Sequence, residues 1–216
     1  MGRLYLIRHG ETDSNKSFRF QGQTDIELNE KGRAQAELLA EHFKNIRLDA
    51  VYSSSLTRAR QTAAPLAAVH GLEVQPVEDI KEIAFGKWEG LTYNQINDAG
   101  LGQIDEFFKN PALCHVPGGE NFTDVAARVE PFFKRCLAEM DEKDIAVVSH
   151  GGIIRVLLCL FLGVDLNKIW NFSVGNCSTT TLAKWRGYNT VLECTNETYY
   201  LLSLIHISEP TRPLYI

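Results

Sequence analysis

Short apolar runs alternate along this chain with longer stretches whose apolar residues recur every three or four positions. Leu4 to Ile7 is a bounded apolar run, the pattern of a buried strand. Glu11 to Leu28 is polar and mixed and predicts a long loop. Asn29 stands as an N-cap before a helix over Glu30 to Lys44, with Ala34, Leu38, Leu39 and Phe43 on one face. Asp49 to Ser53 predicts a second strand and Leu56 to Val69 a second helix, which Pro65 should kink or end early. Leu72 to Val77 reads as a third strand. Glu82 to Glu120 is irregular, with one short helix from Thr92.

Beyond it, Val125, Val129, Phe132, Phe133, Cys136, Leu137 and Met140 define a helix over Thr123 to Asp141, with which Pro131 is inconsistent. Ile145 to Ser149 is a fourth strand. Gly152 to Leu162 is a helix apolar all round and therefore buried. Ser178 to Trp185 and Thr190 to Cys194, joined around Gly187, predict a hairpin. Strands alternating with helices imply an α/β fold of three layers, α/β/α, around a mainly parallel sheet. Ligands of such sheets sit outside the carboxyl ends of the strands. Arg8-His9, Ser53 to Arg58 and Ser149-His150 all lie just past predicted strand ends, so the fold gathers them on one rim.

The chain has 216 residues, 44% of them hydrophobic, which suits one soluble globular domain with an ample core. A net charge of −5 and the lack of a basic stripe argue against nucleic-acid binding. An anionic ligand would have to be drawn by local arginines. Cys114, Cys136, Cys159, Cys177 and Cys194 are odd in number and lack Cys-x-x-Cys spacing, so reduced core cysteines are expected. Ile153 to Leu162 is too short to span a bilayer and contains Arg155. Met1-Gly2-Arg3 leads straight into a strand pattern, and the cytoplasm is the expected compartment. The Asn196-Glu197-Thr198 acceptor pattern carries no weight without secretion. Leu202 to Arg212 reads like the translation of a sequencing-library adaptor. Residues 1–201 are therefore taken as the domain and 202–216 as a non-native tail, with a genuine final strand over Tyr199 to Ile207 as the alternative; His206 is given no role.

Arg8-His9-Gly10-Glu11-Thr12 and His150-Gly151 place two histidines at two strand ends, a pattern that suits a shared phosphate site. Phosphoryl transfer needs a nucleophile, charge on the equatorial oxygens and a proton for the leaving group. His9 is the candidate nucleophile. Arg8 and Arg58 would keep its ring neutral, and Gly10 would let a carbonyl orient one ring nitrogen and free the other. Arg8 and Arg58 can grip phosphate oxygens in bidentate fashion. Arg60, two positions on, points elsewhere and reads as exposed or structural. His150, protonated, would donate to the phosphoryl group while His9 stays neutral. Glu82 is the candidate acid for the leaving alkoxide and base for the attacking water, and on composition alone Glu89 and Glu78 compete with it. Trp88, Phe107, Phe108 and Trp170 are either core or the wall of a pocket for an aromatic group.

These motifs resemble the histidine phosphatase superfamily, in its phosphoglycerate mutase-like branch. The likeness runs from Leu4 to about Leu201 and rests on Leu-Ile-Arg-His-Gly-Glu-Thr, Gly22-Gln23-Thr24-Asp25 with Leu28 to Gly32, Ser-Ser-Leu-Thr-Arg-Ala-Arg-Gln-Thr-Ala, Phe-Gly-Lys-Trp-Glu-Gly, Pro-Gly-Gly-Glu and Val-Val-Ser-His-Gly-Gly. The resemblance implies a phosphohistidine at His9, a phosphate pocket completed by Arg8, Arg58 and His150, Glu82 as acid and base, and Asn15 and Gln21 as further phosphate donors. It implies neither metal nor cofactor, and a small-molecule phosphate ester as the partner. Phe-Gly-Lys-Trp-Glu-Gly-Leu-Thr-Tyr and Pro-Gly-Gly-Glu-Asn-Phe are most similar to alpha-ribazole phosphatases and related broad-specificity phosphatases, which points to alpha-ribazole 5'-phosphate in cobalamin biosynthesis. A phosphoglycerate mutase and a non-catalytic phospholigand-binding protein are the alternatives. The mutase is disfavoured because Glu82 to Glu120 lacks the family's added basic residues.

Overall fold

The strands β1 (Arg3–Arg8), β2 (Ala50–Ser54), β3 (Val74–Val77), β4 (Ile145–Ser149), β5 (Thr179–Trp185) and β6 (Asn189–Glu197) form one sheet in the order β3-β2-β4-β1-β5-β6. The structure is a computed structural model that describes residues 2–185 and 189–202. Pairings among β3, β2, β4 and β1 are parallel, and β5 runs antiparallel to both β1 and β6. Strand alternation gives the sheet two apolar faces. Leu4, Leu6, Ile145 and Val147 face one way, under α6 (Phe122–Glu139) and α7 (Gly151–Leu162). Tyr5, Ile7, Ala146 and Val148 face the other, under α2 (Glu30–Phe43) and α3 (Thr57–Ala68). The result is the three-layer α/β/α fold with a mainly parallel sheet. Leu39 and Leu66 are fully buried in the second face; truncating either to alanine would cost about 2–5 kcal/mol.

The elements depart from expectation in places, each with a physical cause. The stretch from Glu11 is not all loop: α1 (Asp13–Lys16) forms one helical turn, closed by a reciprocal capping box between Thr12 and Asn15. In α2 the buried stripe is Ala36, Leu39, Ala40 and Phe43, while Ala34 and Leu38 are only half-buried. Pro65 lies inside α3, in its last turn, and the helix runs three residues beyond it to Ala68 at the cost of one N–H to the Gln61 carbonyl. Pro131 lies within α6, and the helix continues because Val125, Val129, Phe132, Phe133 and Cys136 bury one face on the sheet. The middle region holds two short helices, α4 (Tyr93–Asp98) and α5 (Ile104–Lys109), where one was expected. The β5–β6 hairpin forms, with β6 running on to Glu197; its turn around Gly187 lies outside the described residues. Tyr199–Leu201 is a 3-10 turn, against the alternative of a final strand there. Residues 203–216, with His206, also lie outside the described residues. No helix among the described residues is long and apolar enough to cross a membrane.

Candidate active site

Adjacent parallel strands bring the two histidines together. Arg8 is in register with Ser149, so the next residues, His9 and His150, leave β1 and β4 side by side, with ring centroids 5.2 Å apart. His9 Nδ1 lies 2.7 Å from the Gly10 carbonyl. That oxygen can only accept, so Nδ1 carries the proton and Nε2 holds a free lone pair. Nε2 takes no hydrogen bond among the described residues. Gly10 is required here because a Cβ would stand 2.6 Å from the Gly32 carbonyl oxygen. The His9 backbone carbonyl accepts from Cys177 N–H (3.1 Å) and Asn176 Nδ2 (3.1 Å), which pins the backbone at this position. Burial, then Arg58 and Arg8, push the His9 ring well below the ordinary histidine range.

Around this ring lie cations without counter-ions. Arg58, on the first turn of α3, is fully buried; its Nη atoms donate to the Thr24 and Gly22 carbonyls, at 2.9 and 2.7 Å, and its Nε has no partner. Arg8 donates from Nη1 to the Val174 carbonyl at 2.7 Å, and its Nε is likewise unpartnered. Burial, then Arg155 and Arg58, lower Arg8 to about 10, with Glu82 opposing. Arg58 is lowered by burial. Among the described residues, no carboxylate ion-pairs with Arg8, Arg58 or Arg155. A buried unpaired charge costs several kcal/mol, which a bound anion would offset.

His150 accepts or donates at Nε2 with the Ser54 hydroxyl, 2.8 Å away, while its buried Nδ1 has no partner. The expected asymmetry between the histidines does not show in the direction of their shifts. Burial first, then Arg58, His9 and Arg8, hold His150 well below the ordinary range as well. A negative charge placed beside His150 would favour its imidazolium.

Asn15 and Gln21 are placed by their oxygens. Asn15 Oδ1 faces the Thr12 N–H, the Thr12 hydroxyl and Asn176 Nδ2, each at 3.1 Å. Gln21 Oε1 lies 3.0 Å from the same Thr12 hydroxyl. Both amide nitrogens are left as donors in the cleft that Asn15 and Gln21 line. Arg8, His9 and Arg58 line it too, with Glu82, Gly151 and Gly152 opposite. Glu82 accepts from Ile83 N–H (3.0 Å, Oε1) and Gly152 N–H (3.2 Å, Oε2), at the start of α7. Its two competitors are elsewhere. Glu89 is consumed by the N–H groups of Gln23, Thr24 and Phe85 and by the Thr24 hydroxyl. Glu78 pairs with Lys81 at 2.5 Å on the surface. Arg60 is exposed, as its helical offset from Arg58 requires.

The same cleft, of about 480 Å³, is also lined by Phe20, Phe85, Phe107, Phe108, Phe122 and Trp170. Phe108 and Trp170 thus belong to the cleft; Phe107 is a buried core ring that also reaches its lining, and Trp88 is core, its Nε1 donating to the Leu101 carbonyl at 2.6 Å. Sequence reasoning missed Arg155. It lines the cleft, donates from Nε to the Phe172 carbonyl at 2.9 Å and lies over the Trp170 ring, 5.5 Å from the centroid. The available signal was a lone charge in an otherwise apolar helix, a position that selects against arginine unless it is used. Ser54 and Thr62, which hold His150 and Gly10, lay within the Ser-Ser-Leu-Thr-Arg-Ala-Arg-Gln-Thr-Ala motif without being assigned a role, and Asn176, which holds Asn15, carried no sequence signal.

The chain is similar to known proteins. The model of the histidine phosphatase superfamily (branch 1) matches residues 4–198. Phosphoserine phosphatase 1 of Hydrogenobacter thermophilus is 33% identical over 193 residues, 89% of this chain and 92% of that protein. The adenosylcobalamin/alpha-ribazole phosphatase of Escherichia coli is 30% identical over 172 residues, 80% of this chain and 85% of that protein. Among solved structures, a mycobacterial glucosyl-3-phosphoglycerate phosphatase in complex with VO3 superposes with a TM-score of 0.82 at 32% identity, covering 92% of this chain and 100% of that one. With its fold, its paired histidines and these relatives in view, the chain belongs to the histidine phosphatase superfamily and is a phosphatase of small phosphate esters.

Proposed function

We propose that this enzyme hydrolyses phosphomonoesters without a metal, through a phosphohistidine at His9, and that its physiological ester has an aromatic leaving group, alpha-ribazole 5'-phosphate being the best-fitting compound. The observation that carries the mechanism is the set of unpartnered buried nitrogens, Arg8 Nε, Arg58 Nε and His150 Nδ1, beside the free Nε2 of a neutral His9. The guanidiniums supply the charge that a metal brings elsewhere. His9 Nε2 donates its lone pair to phosphorus as the ester P–O bond breaks, and Glu82 gives its proton to the departing alkoxide. Water then loses a proton to the Glu82 carboxylate and attacks phosphorus; the P–N bond breaks and returns its electrons to His9. Arg8, Arg58, Asn15, Gln21 and His150 hold the three equatorial oxygens throughout.

The aromatic walls of the cleft support the leaving-group assignment, as does the alpha-ribazole phosphatase named among the relatives. One feature favours a second reading, a phospho-acid of the phosphoserine kind: Arg155 has no carboxylate partner among the described residues and could bind a substrate carboxylate. The test is phosphate release, with a chelator present, from alpha-ribazole 5'-phosphate beside phosphoserine, sugar, nucleotide and glycerate phosphates. A preference for alpha-ribazole phosphate of about a hundredfold in kcat/KM, ~2.7 kcal/mol, is expected. A preference for phosphoserine would favour the second reading, and a flat profile would remove both.

A further inference from the structure

The helix α1 ends in a Schellman motif with the wrong residue for it. Arg19 N–H donates to the Ser14 carbonyl (2.9 Å) and Phe18 N–H to the Asn15 carbonyl (3.2 Å), the paired bonds of that motif. The position that must turn left-handed is Phe18, with φ of +54°. Glycine is the ordinary occupant, because a Cβ is strained there. Phe18 is also 86% exposed, the most exposed large hydrophobic residue described. It packs on no aromatic ring among the described residues, whereas Phe20, two positions on, sits against Phe85 at 4.9 Å. A bulky apolar side chain thus carries both backbone strain and exposure, and it does so on the wall of the catalytic cleft, three residues after the phosphate donor Asn15. Backbone strain of this kind concentrates at functional positions.

We infer that Phe18 is a specificity-determining residue: its ring caps an aromatic leaving group against the far wall, where Tyr93 and Phe108 are also partly exposed. The left-handed turn sets the ring on the cleft lining, exposed and free to pack on a ring of the substrate. This rests on the aromatic reading of the leaving group proposed above. It adds that the selectivity comes from the α1 turn and not only from the rigid walls.

The test compares 2-phenylethyl phosphate with butyl phosphate, two alkyl esters with similar departing alkoxides that differ in the ring. Native enzyme, Phe18→Gly and Phe18→Tyr are measured on both. The native enzyme prefers the phenylethyl ester. Phe18→Gly lowers the ratio of kcat/KM values about tenfold, ~1.4 kcal/mol, chiefly through KM for the phenylethyl ester. Phe18→Tyr keeps the ratio. The thermal midpoint of Phe18→Gly rises or holds, because glycine suits the turn. An unchanged ratio in Phe18→Gly, beside a native preference, overturns the role of Phe18 alone. A native enzyme with no preference overturns the aromatic reading and the role of Phe18 with it. A lowered midpoint shows that the ring is structural, which also overturns it.

Discussion

Gly152 offers a way to disturb Glu82, the proposed acid, without substituting it. The residue lies in the first turn of α7 with its N–H on Glu82 Oε2, and a Cβ built there would stand 2.5 Å from Glu82 Oε1 and 3.3 Å from its Cδ. The other close contact, Phe122 Cε1 at 3.4 Å, is ordinary. In Gly152→Ala only the end of one flexible side chain has to move, by roughly 1 Å to reach normal contact. The helical backbone accepts alanine and gains up to about 1 kcal/mol of helix propensity, so the variant should fold at least as well. A displacement of ~1 Å at a reacting group costs about a hundredfold in rate, ~2.7 kcal/mol. The loss should depend on the leaving group. Butyl phosphate, whose alkoxide needs a proton, should lose about a hundredfold in kcat; p-nitrophenyl phosphate, whose anion departs unaided, should lose under about fivefold in its phosphorylation step. Single-turnover kinetics on the two esters, with thermal unfolding as a folding control, makes the comparison. Equal losses on both would refute the assignment of the proton to Glu82.

Three other outcomes follow from the same geometry. Both buried histidines are held below 6.5 in the fold, so the unfolded chain binds protons that the native state refuses; stability is full above pH 6.5 and falls as pH drops toward the native values, by at most about 1.4 kcal/mol per pH unit for each ring. Urea unfolding between pH 7.5 and 5.5 checks this, and a flat profile that persists in phosphate-free buffer would contradict it. Inorganic phosphate or vanadate should stabilise the protein, by about 2.7 kcal/mol at a hundredfold excess over Kd, and Arg58→Met should abolish the shift in a melting experiment. Arg155→Met should cost phosphoserine more than tenfold in KM and alpha-ribazole phosphate less than threefold if the arginine reads a carboxylate, roughly the worth of one charge-assisted hydrogen bond; equal effects on the two would place it at the phosphate instead.

The parts of the site that were readable in the sequence are those tied to strand ends. His9 and His150 follow apolar runs whose parallel pairing is forced by the alternation of elements, so their meeting needed only the fold class. Arg58 was readable for a similar reason, because it opens the helix after β2. The downward shift of His150 was not, since neighbours in sequence say nothing of complete burial, and burial is its first cause. Arg155 stood in an apolar run that served only to argue against a membrane span. Phe18 sat in a segment without period, read as loop; a four-residue helix is too short to show one. Choosing Glu82 over Glu89 required resemblance, because the loop bonds that occupy Glu89 join residues 66 positions apart.

The most direct measurement is a rapid-quench search for the covalent intermediate. Native enzyme is mixed with a fast aryl phosphate, quenched at alkaline pH within the first turnover and mapped by mass spectrometry. The mechanism predicts phosphate on Nε2 of His9, formed at the rate of the product burst and absent in His9→Ala. A burst without modification, or a phosphate carried by any other residue, would contradict it.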